Sequence, residues 1–177
     1  MPSVLLWLMA FASTPAVQDS TPATAELVYR ACEDLARSLI DGVLLYRSGM
    51  ETWPEDAQQL NTFLDFNDVW IDRDHWYAID IMGRQEICQV RIKIGPDRDP
   101  GVFVLDSIRV RKASAVLYLA AAGDSAGFAQ ADLSGELIAA DVELPSGEVI
   151  RVGPFIKKNP VLHRLHPEQL REMLGIE

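Results

Sequence analysis

The first residue with catalytic potential is Ser125. Gly123-Asp124-Ser125-Ala126-Gly127 spells G-x-S-x-G directly after the apolar run Leu117–Ala122. A serine on a sharp turn between a strand and a helix becomes an acyl-transfer nucleophile when a histidine takes its proton and an acid orients that histidine. Downstream, His163 and His166 are the candidate bases, and Asp132 or Asp141 the acid. The upstream sequence has no HGGG-type stretch to build an oxyanion hole. The apolar residues before the motif alternate as in hairpins, whereas such a serine needs a parallel, helix-covered sheet. A glycine-flanked surface turn is therefore the preferred reading, and Ser125, His163 and His166 form the alternative site.

The five residues GDSAG resemble the nucleophile elbow of α/β-hydrolases, and among these the hormone-sensitive-lipase-like esterases. The resemblance implies a small serine esterase, which is the alternative function.

Other chemistry is sparser. Asp65, Asp68, Asp72, Asp74 and His75 put oxygen ligands near one another, but the glycine and terminal glutamate of a calcium loop are missing. They read as a solvated connection, so neither a metal nor a cofactor is expected. Two cysteines, Cys32 and Cys88, are too few for a four-ligand zinc site. Each lies in register with apolar neighbours, Cys32 with Val28, Leu35 and Leu39, and Cys88 with Val90 and Ile92. In an oxidising compartment they are candidates for one disulfide. It would close a loop of about 55 residues and stabilise on the order of 4 kcal/mol in the chain-entropy model. Trp53, Phe63, Phe66, Trp70, Trp76 and Tyr77 form a dense aromatic group. It reads first as core between helices and a strand, with Trp53, Trp70 and Trp76 as the candidate surface for a ligand or a protein partner.

The elements that must position these residues follow from periodicity. Val28, Cys32, Leu35, Leu39, Val43 and Tyr46 recur at steps of three and four, which predicts a long helix over residues 22–48. Thr21 and Pro22 suit its start and Gly49 its stop. Thr52 and Glu55 have capping-box spacing before a shorter helix with the stripe Leu60, Phe63 and Leu64. From residue 75 the period becomes two, most clearly through Cys88, Val90, Ile92 and Ile94. Residues 95–101 read as a turn and GVFVLDSIRVRK, residues 101–112, as a third strand. Residues 113–135 are so rich in Ala that helix and strand both fit. Pro145-Ser146-Gly147 marks a hairpin, and the tail from His166 a short closing helix. Helices first and strands after predict an α+β fold: a long N-terminal helix and a short second helix on an antiparallel sheet, with a short C-terminal helix.

Within residues 22–94, the stretch from Leu35 to Leu64 combines a helix ending near Tyr46 with Gly49, Trp53-Pro54 and Leu60. In this it is similar to the globular part of type IV pilin-like proteins, including type II secretion pseudopilins. The resemblance implies a helix packed on an antiparallel sheet with an aromatic-proline loop between. The basic leader, processing glycine and early glutamate of that family have no counterpart in Met1–Gln18.

The N-terminal segment points to export. Met1–Gln18 carries no charged side chain, and Val4–Ala12 is an apolar run followed by Ser13, Thr14, Pro15 and Ala16. This has the form of a secretory signal over residues 1–16, with Ala12 or Ala16 at the cleavage site. The run is shorter than the ~20 residues a spanning helix needs. Residues 17–21 then form a linker and 22–177 a single domain, long enough for one core. Membrane contact is expected only through the signal segment. A net charge of −10 disfavours phosphate backbones, so nucleic acid is not an expected partner. The combined reading is a periplasmic or secreted accessory module that binds or assembles without catalysis.

Overall fold

A computed structural model describes residues 21–69, 78–95, 103–105, 107–122 and 129–176. Among these residues the chain forms an α+β fold with four helices and an eight-stranded antiparallel sheet. The N-terminal segment read as a signal, and the linker up to residue 20, lie outside the described residues.

Two helices stand where one was expected: α1 (Thr21–Leu35) and α2 (Arg37–Met50). They meet at Ala36, whose ψ of −7 departs from the helical value. The i→i−4 bonds on either side persist, Ala36 N–H to the Cys32 carbonyl and Ile40 N–H to the Ala36 carbonyl. The apolar positions therefore stay on the sheet side across the break. Val28, Cys32, Leu39 and Val43 are all buried. The expected stop at Gly49 is overrun, because α2 continues to Met50 and Glu51 takes the left-handed conformation, φ 60. The third helix, α3 (Ala57–Phe66), starts later than the Thr52–Glu55 box implied. Its N-cap is Asp56, whose carboxylate accepts from Gln59 N–H at 2.8 Å. Leu60 and Leu64 form its buried stripe.

The strands are β1 (Ala78–Gly83), β2 (Ile87–Ile94), β3 (Phe103–Leu105), β4 (Ile108–Ala121), β5 (Gln130–Glu143), β6 (Val149–Val152), β7 (Phe155–Ile156) and β8 (Val161–Arg164). The main path runs β1-β2-β4-β5-β6, with every pairing antiparallel. The expected third strand is a tight hairpin, β3 to β4, turned at Ser107 with φ 83. The Ala-rich stretch resolves as strand over residues 113–121 and 130–135, on both sides of the β4–β5 connection. β6, β7 and β8 follow one another along the outer edge of β5, as a strand broken into three pieces. The hairpin at Pro145-Ser146-Gly147 joins β5 to β6. A final helix, α4 (Pro167–Met173), follows the last strand.

One sheet face is covered by helices. Cys88, Val90, Ile92 and Ile94 of β2 share a core with Leu117 and Leu119 of β4 and Leu133 and Leu137 of β5. α1 lies over β4, β5, β6 and β7, and α3 over α2 and β1. The other face exposes Arg91, Lys93, Arg109 and Arg111. Gly135 lets α1 settle on β5: a Cβ there would lie 2.7 Å from the Tyr29 hydroxyl and 2.6 Å from the Val116 carbonyl.

Candidate functional site

The C-terminal end of α2, the loop 51–56, α3 and the β1–β2 turn enclose a groove. It consists of two adjoining depressions, of about 480 and 560 Å³, which share Tyr46, Met50 and Gln59 on their common edge. Phe63 and Phe66 line the first. Trp53, Glu51, Glu55 and Arg84 line the second.

The frame is held by specific bonds. Gln59 Oε1 accepts from Tyr46 Oη–H at 3.0 Å and from Glu55 N–H at 2.9 Å, which ties α2, the loop and α3 together. The loop also presses against β1. A Cβ at Gly83 would sit 2.1 Å from the Pro54 carbonyl oxygen, so only glycine permits this approach. Trp53 is 4% exposed, and the Arg47 guanidinium stacks 4.1 Å from its ring centroid. The Trp53 indole Nε1–H is buried with no acceptor among the described residues. Burial pushes the Tyr46 phenol up, with Glu55 and Asp56 adding to the rise. Burial likewise pushes Arg47 down.

Beside this order, large apolar groups are left in water. Phe66 is 87% exposed and Met50 52%. The Glu51 and Glu55 carboxylates form no ion pair among the described residues.

The expected site residues fall elsewhere or apart. Ser125 lies outside the described residues, in the connection between β4 and β5. Those strands are antiparallel neighbours, whereas a nucleophile elbow leads from a strand into a helix. His163 does find an acid, but it is Asp41 of α2, with Nε2 and Oδ1 2.7 Å apart. Neither expected acid serves. Asp141 pairs with Arg151 at 3.7 Å, and Asp132 follows Ala131, the register partner of His163, so it points to the other face. His166 precedes α4, and its backbone N–H donates to Gln169 Oε1 at 2.9 Å. Neither histidine is thus paired with an acid expected for a triad.

Cys32 and Cys88 both reach the one core, as expected, but as free buried thiols, and no bridge joins them. α1 lies over β4 to β7, whereas Cys88 sits on β2. Burial pushes both thiols up to about 12. Trp53 is a buried wall of the groove and not an exposed contact. Trp70 and Trp76 lie outside the described residues, as do Asp72, Asp74 and His75. Among the described residues, no three His, Cys, Asp or Glu side chains converge as a metal site. Nor is any described helix long and apolar enough to cross a membrane.

A second polar cluster went unforeseen. Lys157, just after β7, places Nζ 2.9 Å from both carboxylate oxygens of Glu33 on α1. Phe155 packs on Tyr29 with ring centroids 5.3 Å apart. With Asp41–His163, these contacts fasten the broken edge strand to the helices. Sequence offers no signal for pairs more than a hundred residues apart.

No protein-family model, curated protein or solved structure matches this chain.

Proposed function

We propose that this protein is an exported binding or assembly module that holds a partner without transforming it, and that the groove between α2, α3 and the β1–β2 turn is its recognition surface. The observation that carries this reading is the placement of Phe66 and Met50, 87% and 52% exposed, on a frame tied by the Gln59 bonds. An apolar patch on a rigid support binds with little ordering cost. The last turns of α2 carry Tyr46 and Met50 into the groove. Export is supported by the uncharged apolar segment Val4–Ala12 and the small residues after it. The helix-on-sheet shape is also what the pilin-like resemblance implies, and kinship with that class belongs to the proposal.

The test is a nuclear magnetic resonance titration of the protein, labelled at the methionine methyl groups, with short apolar peptides. Met50 is expected to shift, and Phe66→Ser to abolish the response. Shifts spread over the open sheet face, with Met50 unmoved, would overturn the reading. Ser125→Ala is expected to leave that titration unchanged. Hydrolysis of a short acyl ester that vanishes in Ser125→Ala would restore the esterase alternative.

A further inference from the structure

We infer that the groove takes a peptide segment of a partner protein in which an apolar anchor is followed directly by Lys or Arg. The inference rests on the groove being the recognition surface, and it adds the chemistry of the occupant.

The two depressions differ in character and share an edge. The first is walled by Phe63 and Phe66, with the exposed Met50 at its mouth, and suits an apolar side chain. The second is bordered by Glu51 and Glu55, neither of them ion-paired among the described residues. Arg84 is the basic residue lining it, and its Nη2 is directed at Met82 Sδ, 3.9 Å away. A chain with its anchor in the first depression therefore carries its next side chains past two uncompensated carboxylates.

A neutral or acidic segment would leave those carboxylates partly desolvated and unpaired, which disfavours it. A lysine or arginine would pair with them at the edge, where its stem can also lie along Tyr46 and Met50. Trp53 closes the wall of that depression, 4% exposed beneath the Arg47 guanidinium, so the opening stays shaped between the apolar first depression and the two carboxylates.

The test uses the full chain and two acetylated, amidated tetrapeptides, WLKK and WLEE, with the Met50 methyl signal as readout. WLKK is expected to bind roughly tenfold more tightly, with the difference shrinking as salt screens the exposed charges. The Glu51→Gln/Glu55→Gln variant is expected to erase the preference while still binding. Glu148→Gln, at the exposed β5–β6 hairpin, is expected to keep it. Equal binding of both peptides, or tighter binding of WLEE, overturns the inference about charge and leaves the groove standing. Loss of preference in Glu148→Gln also overturns it, because net charge alone would then explain the effect. No shift of Met50 with either peptide removes the groove reading itself.

Discussion

The two ends of the helical layer are finished differently. Where α1 and the start of α2 meet the β7–β8 edge, the charged groups are matched, Glu33 with Lys157 and Asp41 with His163, while Tyr29 packs its ring on Phe155 and keeps its buried hydroxyl without a hydrogen-bond partner among the described residues. The paired side chains there are about four-fifths buried, with Lys157 at 20% and Glu33 at 22% exposure. Where α2 ends against α3, the backbone is equally well tied, yet Met50 and Phe66 are exposed and Glu51 and Glu55 stay unpaired among the described residues. A surface that is ordered but not complementary to itself is one that a second molecule can complete. The contrast lies in side-chain matching and not in secondary structure.

The largest effect expected is alkaline, and it belongs to the core that both ends share. Both thiols have a folded pKa raised from 9.0 to about 12, so their contribution is intact below 9 and lost as pH climbs toward 12. By about pH 11 each is expected to withdraw on the order of 3 kcal/mol, since the unfolded chain ionises first. Urea unfolding between pH 8 and 11 measures the fall. The double variant Cys32→Ala/Cys88→Ala should flatten most of it, and an unchanged slope would show that the thiols are not what titrates in the core.

Next comes the junction at Gly83. A methyl group placed 2.1 Å from the Pro54 carbonyl must push the loop off β1. Gly83→Ala is expected to cost about 3 kcal/mol in urea unfolding and to weaken peptide binding in parallel. A loss of stability with binding intact would separate the groove from the loop that frames it.

Removing one member of a matched pair is expected to matter less. Glu33→Gln leaves Lys157 facing a neutral partner, at about 1–2 kcal/mol, below the range for fully buried pairs because both side chains still reach solvent. Glu33→Gln/Lys157→Met should recover much of that loss, as replacing both members removes the unpaired charge. Equal losses in Glu33→Gln and in Glu51→Gln would erase the distinction between the two ends.

The smallest effect belongs to Phe66→Ser. With 87% of the residue in water, folding stability is expected to change by less than about 0.5 kcal/mol while the peptide response disappears. A large loss of stability would mean that Phe66 belongs to the core.

Much of the frame was legible in sequence because it rests on local periods. The spacing of Val28, Cys32, Leu39 and Val43 marks a buried helical face whatever lies opposite, and Cys88, Val90, Ile92 and Ile94 mark a buried strand face. The turn at Pro145-Ser146-Gly147 is written in residues that favour turns. The same logic failed where two structures share one pattern. The alternation through residues 103–112 continues across the β3–β4 turn at Ser107, so one strand and a hairpin look alike. Thr52 and Glu55 match a capping box, but the Glu55 N–H donates to Gln59 Oε1 and the Asp56 carboxylate accepts from Gln59 N–H, so Asp56 takes the cap.

What the sequence alone determined is therefore which faces are apolar, where the chain turns, and that the net charge is −10. Only the tertiary structure decided which charges meet. Asp41 and His163 are 122 positions apart, and the topology of the β5 edge, not their spacing, brings them within 2.7 Å. The groove is of the same kind. Tyr46, Gln59 and Gly83 come from three elements, and their union depends on the packing of α3 against both α2 and β1. Burial and pairing are properties of neighbours in space, and a chain read in one dimension carries only its neighbours along the backbone.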